Sequence, residues 1–276
     1  MIFERHTLQK PIDDYIESIF HYKGFKPDHN IERVVPTGHI FILFELDGIP
    51  RNTFDNITLE PNDTFTKVWV SGMHKNYLSI SAPQDSEMLV IQFKPAGALP
   101  FFNSPIYLIN DKVVPAESLF GKEILQLQEK ILEQNTSAEK FRVVDDWLLN
   151  RFDASAKVDP EVANILNKLS TNPFYVHKEI VRSYPKTHKS LISQFKKHIG
   201  LTPKVLHRIF RFNEILQKIH LKESLDWPQI AYQFGYTDQS HFIKEFKEFS
   251  GFSPQEFIDS DFQKDQPNFF PLDREG

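Results

Sequence analysis

The sequence predicts an α+β protein of two domains: a β-rich N-terminal domain, of the small-barrel or cupin-like kind and closed by helices, and an all-helical C-terminal domain. Three observations predict this fold class. Short apolar runs separated by Pro, Gly, Asn and Asp fill residues 31–94, helical spacing begins at Asp159, and part of the helical region repeats after 51 residues. The 276 residues are 40% hydrophobic, which is enough for two cores.

The first predicted element is a short helix, because apolar residues near the N-terminus have helical spacing. These residues are Ile12, Tyr15, Ile16, Ile19 and Phe20. The five apolar runs that follow are typical of strands, and the turn signals between them favour an antiparallel sheet or small barrel over parallel βαβ units. The predicted strands are ERVV, HIFILFEL, FTKVWV, NYLSIS and MLVIQF.

Helical patterns close the N-terminal domain and resume after a short linker. The closing helices are predicted near 98–103, 116–134 and 138–152. The next five residues are small and polar, as expected of a linker. The predicted parts are therefore an N-terminal domain at 1–152, a linker at 153–157, a helical domain at 158–259 and a tail at 260–276.

The predicted tail contains two Pro and the pair Phe269-Phe270, without any periodicity. Two interpretations stay open from the sequence. Either the tail is frayed, or the two aromatic side chains hold it against the rest of the protein.

Composition excludes several kinds of chemistry. The chain has no cysteine, which excludes disulfides, thiolate metal sites and cysteine nucleophiles, and which fits a reducing compartment. Glu4, Arg5 and His6 lie where a signal peptide needs an apolar stretch, and no run approaches the roughly 18 apolar residues of a membrane span. We therefore expect a cytoplasmic protein without a membrane segment.

No catalytic, cofactor or metal site is predicted. His39 and His74 lie in the β-rich region, but no His-x-His pair with a following Glu occurs at the spacing of metal ligands. Glu45 with His39 is an acid–base pair without a nucleophile or a phosphate-binding motif beside it. An enzyme is therefore the least favoured class, and we expect neither cofactor nor metal.

One segment is basic although the whole protein has a net charge of −5. Residues 173–222 contain eleven Lys and Arg against Glu179 and Glu214, a net charge of +9. The rest of the chain carries 21 basic and 35 acidic side chains. This distribution is typical of a surface that contacts phosphates, with a solvated basic helix face as the alternative.

The repeat with a 51-residue offset lies in the helical region, and its first copy lies within this basic segment. In each copy an apolar pair four residues apart faces one side of a helix, a Gly ends that helix, and Thr-Pro or Ser-Pro begins the next one. The repeated residues are Leu191, Phe195, Lys196, Gly200, Thr202 and Pro203, which recur as Phe242, Phe246, Lys247, Gly251, Ser253 and Pro254.

Each copy also predicts a shorter helix before the repeated one. These helices end near Tyr184 and Phe234, and a turn leads from each to Thr187 or Thr237 as the N-cap of the second helix. This order predicts two helix-turn-helix units. They span about 174–200 and 225–251 and are joined by a helix over residues 203–219.

In such a unit the second helix enters the major groove of DNA. We predict DNA contacts from its side chains that the core does not need, which are Lys186, His188, Lys189, Ser193, Lys196 and Lys197 in the first unit and Gln239, Ser240, Lys244 and Lys247 in the second. The basic first unit is predicted to contact phosphates. Gln239 suits adenine and Lys244 suits guanine or phosphate, so the second unit is predicted to supply more of the selectivity.

Residues 224–257 resemble the C-terminal signature of AraC/XylS-type transcription regulators. The matching residues are Ala231, Gly235, Tyr236, Ser240, Phe242, Phe246, Lys247, Gly251 and Pro254. More distantly, the stretches IQFKPAGALPFF (91–102) and VVPAESLFG (113–121) are similar to the small β-barrel domains that precede this signature in some such regulators.

The resemblance implies a sequence-specific transcription regulator that binds double-stranded DNA, with RNA polymerase as a further partner. It also implies that a small-molecule effector or a protein partner acts on the N-terminal domain. Phe41, Trp69 and Phe93 are the candidates for lining an effector pocket, although alternating aromatics in strands more often fill a core.

The resemblance further implies a homodimer. The apolar stripe of the predicted helix 138–152 packs either within its own chain or against a second subunit. An alternative function stays open, in which the protein is an interaction module whose DNA-binding domain has degenerated. It rests on residues 223–256, which carry Lys244 and Lys247 against six carboxylates.

Overall fold

The computed structural model describes residues 1–219, 226–260 and 268–274. Within these residues, the strands form two antiparallel sheets. In chain order the strands are β1 (Ile2–Arg5), β2 (Ile16–Phe25), β3 (Ile31–Val34), β4 (Ile40–Glu45), β5 (Arg51–Phe54), β6 (Pro61–Phe65), β7 (Val68–Ser71), β8 (Leu78–Ser81), β9 (Ser86–Phe93), β10 (Val113–Pro115) and β11 (Phe269–Pro271).

The larger sheet has the order β1-β2-β9-β4-β7-β10 and the smaller one the order β11-β3-β8-β5-β6. All strand pairings in them are antiparallel, as the turn signals predicted. The fold class is thereby confirmed: a β-rich N-terminal domain of two sheets precedes a helical C-terminal domain.

The prediction of a helix near the N-terminus is wrong. Only Ile12–Asp14 forms a 3-10 turn, and the apolar residues after it belong to β2. The pairing of β2 with β9 is irregular between Ile16 and Ser18, which is a β-bulge. A bulge inserts one residue into the alternation, so Ile16 and Ile19 are both buried three positions apart. This spacing imitates that of a helix.

Four helices pack on the larger sheet and close the N-terminal domain, close to the predicted ranges. They are α1 (Leu99–Phe102), α2 (Glu117–Phe120), α3 (Glu123–Leu132) and α4 (Ser137–Arg151). The predicted helix 116–134 is divided in two because α2 ends at Gly121. Phe141, Val144 and Leu148 of α4 are buried in the core of their own chain. The stripe on this helix therefore packs within one subunit.

The two faces of the larger sheet have different surroundings. Ile42 and Phe44 of β4 belong to the core shared with the helices, together with Phe93 of β9. Phe41 of β4 and Trp69 of β7 belong to a second cluster on the opposite face. Since side chains alternate along a strand and Phe93 pairs with Ile40, Phe93 cannot line one pocket with Phe41 and Trp69.

Helices form the rest of the described chain, apart from β11. They are α5 (Pro160–Thr171), α6 (His177–Arg182), α7 (His188–His198), α8 (Pro203–Ile219), α9 (Trp227–Gln233), α10 (Gln239–Ser250) and α11 (Pro254–Asp259). The bounds of α8 are those predicted from its apolar stripe. No helix in the described ranges is long and apolar enough to cross a membrane.

The described part of the tail is held against the N-terminal domain. The strand β11 pairs with β3 at the edge of the smaller sheet, and the ring of Phe270 is fully buried. That ring packs against Phe252 and Phe257 of the helical domain, at centroid distances of 6.0 and 5.3 Å. Of the two interpretations left open by the sequence, aromatic anchoring is correct for residues 268–274.

Candidate DNA-binding surface

The first helix-turn-helix unit consists of α6 and α7. Thr187 is the N-cap of α7, as predicted, and its side-chain oxygen accepts a hydrogen bond from the backbone N–H of Ser190 at 3.2 Å. Leu191 and Phe195 are fully buried and fix one face of α7 against the core. The opposite face of α7 is left to solvent, as a recognition helix requires.

The second unit consists of α9 and α10. Its N-cap is Asp238, whose carboxylate accepts the backbone N–H of His241 at 2.8 Å, so the prediction of Thr237 is wrong by one residue. Asp238 lies 51 residues after Thr187 and therefore keeps the register of the repeat. Either side chain suits an N-cap, and only the repeat register distinguishes the two positions.

All ten side chains predicted to contact DNA are exposed, six on or just before α7 and four on α10. Lys186 forms an ion pair with Asp159 at 2.7 Å, but such exposed pairs stabilise little and exchange readily for a phosphate. The two sets are separated by the 17 residues of α8, about 25 Å of helix. The individual contacts to DNA stay predictions.

A buried ionic cluster, which the sequence analysis missed, joins α10 to α8. The carboxylate of Glu245 accepts hydrogen bonds from Arg208 at 2.7 Å, from Arg211 at 2.6 Å and from the Tyr236 hydroxyl at 2.7 Å. Burial by itself would raise the pKa of Glu245, but Arg211 and the other donors hold it below its ordinary value. The carboxylate is therefore ionised at neutral pH. We call these four residues the Glu245 cluster.

Comparison with known proteins identifies a domain that includes α7 of the first unit and the whole of the second unit. Residues 184–260 match a family model described as a helix-turn-helix domain. The chain carries an AraC-type helix-turn-helix domain. Residues 4–115, which include the end of β1 and the whole of β2 to β10, match a model described as a domain of unknown function (DUF6597). No curated protein sequence matches the chain.

Solved structures of ToxT from Vibrio cholerae are similar to the chain over most of its length. An apo form covers 87% of this chain and 96% of its own, with 13% identity and a TM-score of 0.43. A form bound to an unsaturated fatty acid covers 86% of this chain and 93% of its own, with 15% identity and a TM-score of 0.41.

The N-terminal domain touches the AraC-type domain at the end of each recognition helix. The side-chain amide of Asn110 donates to the carbonyl of Gly200, which follows α7. Arg33 of β3 donates to the carbonyl of Ser250, the last residue of α10, at 3.2 Å. The two contact points are nearly equivalent in the repeat, so one domain holds both recognition helices at their C-terminal ends.

Close packing between the two domains is a second reason for glycine at positions 200 and 251. Gly200 and Gly251 have φ values of +100° and +78°, which favour glycine at a helix end, as the sequence analysis assumed. A Cβ at Gly200 would also overlap the side chain of Asn110, and one at Gly251 would overlap that of Arg33. Each of these glycines therefore both ends a helix and allows the N-terminal domain to approach closely, and the sequence pattern indicated only the first role.

The linker helix α8 of the AraC-type domain also packs against the N-terminal domain. The segment between β3 and β4 lies on it, with the Cα of Gly38 next to the side chains of Leu206 and Phe210. The side-chain amide of Asn213 donates to the carbonyl of Pro36 at 2.8 Å. The N-terminal domain therefore contacts all three main helices of the AraC-type domain, α7, α8 and α10.

The pocket candidates do not converge on one site. Phe41 lines a cavity of about 30 Å³ next to His39 and His74, a volume that holds about one water molecule. Trp69 lies elsewhere on the same face and donates its indole N–H to Glu45 at 2.6 Å. Phe93 is on the helix-covered face. In the described residues, no group of three or more potential metal ligands occurs.

His177 at the start of α6 predicts a pH dependence of stability for the helical domain. Burial, followed by the neighbouring His207, His188 and Lys204 charges, lowers its pKa from 6.5 to about 4. Between these values the unfolded chain binds a proton that the folded chain does not, so stability falls as pH falls from about 6.5 to about 4. We expect the Tm of His177→Gln to fall less than that of the wild type over this range, by thermal denaturation at several pH values.

Comparing the pH dependence of Tm between the wild type and His177→Gln separates the effect of His177 from that of other groups that titrate in this range. Burial also lowers the pKa of His207, so the variant keeps part of the slope. Equal slopes for wild type and variant would mean that His177 is not held neutral.

Proposed function

We propose that this protein is a transcription regulator that binds specific sites on double-stranded DNA through α7 and α10. The observation that carries the proposal is the helix-turn-helix match together with two capped second helices, each with one buried and one exposed face. The 51-residue repeat supports two reading units, and α8 is a spacer of about 25 Å between them, as two units that read successive major grooves on one side of the DNA require.

The two units are proposed to contribute differently, the first mainly to affinity for DNA of any sequence and the second mainly to selectivity between sequences. Lys189, Lys196 and Lys197 on α7 supply affinity for any sequence, because basic side chains that neutralise phosphates release condensed counterions. On α10, Gln239 and Lys244 lie in the N-terminal half of the helix, where base edges are usually read. One lost base contact costs on the order of 1 to 3 kcal/mol of discrimination.

The experiment begins with selection of bound duplexes from a random pool by the wild-type protein. Binding of the selected site and of a random duplex is then measured at several salt concentrations. Lys196→Ala with Lys197→Ala is expected to weaken binding to both duplexes and to flatten the salt dependence, by a slope of about 2 for two phosphate contacts. Gln239→Ala is expected to relax base preference at one or two positions with little change of slope.

A matched control removes the same charge elsewhere. Lys122 and Lys130 are exposed on the N-terminal domain, and their double change to Ala should leave both affinity and slope near the wild-type values. The division of work is wrong if Gln239→Ala weakens specific and random binding equally, or if the Lys196 and Lys197 double change keeps the slope. A wild-type protein that binds no duplex would favour the alternative function as an interaction module.

We also propose that an effector or partner of the N-terminal domain modulates DNA binding. The contacts of that domain with α7, α8 and α10 support this proposal. A movement of β3 relative to Asn110 would change the position of α10 relative to α7. Because the cavity beside Phe41 has a volume of only about 30 Å³, a small molecule that binds there must enlarge it. Thermal shift assays with metabolite fractions test for such a ligand, and a Tm that no fraction raises would contradict it.

Dimerisation, contact with RNA polymerase and a cytoplasmic location complete the proposal. The absence of cysteine from the sequence supports the location. The stripe on α4 gives no support to a homodimer, because it is buried within its own chain. Light scattering of the DNA-bound protein at micromolar concentration decides between one and two subunits.

A further inference from the structure

The Glu245 cluster joins the linker helix α8 to the recognition helix α10 through hydrogen bonds from Arg208 and Arg211. Both oxygens of Glu245 are used: one accepts from Arg211 and Tyr236, and the other accepts from Arg208. The side chain of Glu245 is only 3% exposed. A buried carboxylate with three donors has one favourable position, so it fixes the part of α10 that carries it.

The cluster lies on the side of α10 that faces away from the predicted reading residues. With about 100° of rotation per residue, Ser240 and Lys244 lie about 140° and 100° from Glu245 around the helix axis. A rotation of α10 about its axis would therefore carry these side chains sideways across the base edges. Holding Glu245 prevents that rotation while leaving the reading face open.

The aromatic rings around the arginines restrict the cluster further. The guanidinium of Arg211 lies over the ring of Tyr236 and that of Arg208 over the ring of Phe249, at 4.2 and 4.9 Å from the ring centroids. Contact with a ring restricts where each guanidinium group can lie. The donors are thus positioned before DNA arrives.

Among the residues that the structure describes, the first unit has no equivalent of this arrangement. The residue 51 positions before Glu245 is Gln194, which carries no charge to pair with two arginines. Both recognition helices contact the N-terminal domain at their C-terminal ends, through Asn110 and Gly200 for α7 and through Arg33 and Ser250 for α10. In the described residues, α10, the helix predicted to supply more of the selectivity, is held in addition by the buried ion pairs of Glu245 with α8.

We propose that Glu245, held by Arg208, Arg211 and Tyr236, is the positioning residue that sets the rotation of α10 and thereby the base specificity of the second unit. The inference rests on the proposed function. Glu245 touches no base itself and acts through Gln239 and Lys244. Its loss should therefore affect discrimination between sequences more than affinity for DNA in general.

The test compares Glu245→Gln with the wild type on the selected duplex and on a random duplex. Glutamine keeps the shape of the side chain but removes the charge that two arginines share. We expect the ratio of specific to random affinity to fall about tenfold or more, with an unchanged salt slope and broader base preferences on reselection. Tyr236→Phe removes one donor from Glu245 and fills the same space, so a smaller fall in the same ratio is expected.

The matched control is Glu214→Gln, which makes the same charge change on the linker helix α8. Glu214 is 44% exposed and pairs with Lys218 at 3.7 Å, not with the cluster, so the ratio should stay within about twofold of the wild type. A lowered Tm with an unchanged ratio in both Glu245→Gln and Tyr236→Phe would overturn the inference, because it would leave the cluster a purely structural role. If the wild type itself does not distinguish the duplexes, the proposed function fails instead.

Discussion

Replacing Phe270 with alanine is expected to lower the free energy of unfolding by about 3 to 5 kcal/mol, the usual loss for a fully buried phenylalanine. Its ring has no exposed surface and packs against Phe252 and Phe257. The strand that carries it pairs with β3, so the change also weakens the hold of β11 on the N-terminal domain. Denaturant unfolding followed by circular dichroism measures the loss.

Phe269 provides the control on the same strand. It is half-buried, and Phe269→Ala should cost on the order of 1 kcal/mol. Similar losses for the two variants would contradict the role given to Phe270. A loss below about 1 kcal/mol for Phe270→Ala would mean that β11 does not hold its place in solution.

Replacing Arg33 with alanine is expected to cost about 3 kcal/mol of stability, because it removes several interactions of one buried cation. Arg33 donates to the carbonyls of Ser250 and Asn56 at 3.2 and 3.3 Å. Its guanidinium lies between the rings of Tyr77 and Phe252, at 4.1 and 4.6 Å from their centroids. The alanine variant leaves the end of α10 without this partner. Thermal and denaturant unfolding give the loss.

Two further substitutions separate charge from geometry at this position. Arg33→Lys keeps the cation but cannot serve two carbonyls from one planar fork, so it should recover only part of the stability. Arg5→Ala removes an exposed arginine from β1 and should change stability by about 0.5 kcal/mol or less. Full recovery by lysine would show that charge alone matters at Arg33.

The helical domain could be predicted closely from the sequence because its signals are local. The bounds of α8 follow from Pro203 and from an apolar stripe that ends at Ile219, and both recognition helices follow from the repeat. The one error, Thr237 in place of Asp238, concerned two adjacent residues that are both good caps. The repeat register would have decided between them.

The N-terminal domain was predicted in class but not in detail, because its strands depend on distant partners. The bulge in β2 gives its apolar residues the spacing of a helix. The strand β6, which begins with Pro61 and is mostly exposed, has no apolar alternation to reveal it. Whether such a segment forms a strand depends on its pairing with a distant strand, and local sequence patterns carry no information about that partner.

The exposed part of the candidate site has a signature in the sequence, and its DNA contacts stay predictions, whereas the buried part was missed. Lysines in a basic segment are conspicuous, whereas Glu245 is one of six carboxylates in residues 223–256. Its partners Arg208 and Arg211 lie 37 and 34 residues earlier. Only the crossing of α8 and α10 brings these charges together, so the cluster has no signature in the sequence.

The position of β11 has a consequence for biosynthesis. The strand β3 is made early and β11 is made after the whole helix-turn-helix domain, yet the two are neighbours in one sheet. While the chain is still growing, the outer edge of β3 therefore has unpaired N–H and C=O groups, which are a template for pairing with other chains. The N-terminal sheet cannot reach its final form during translation until the DNA-binding domain has already emerged from the ribosome.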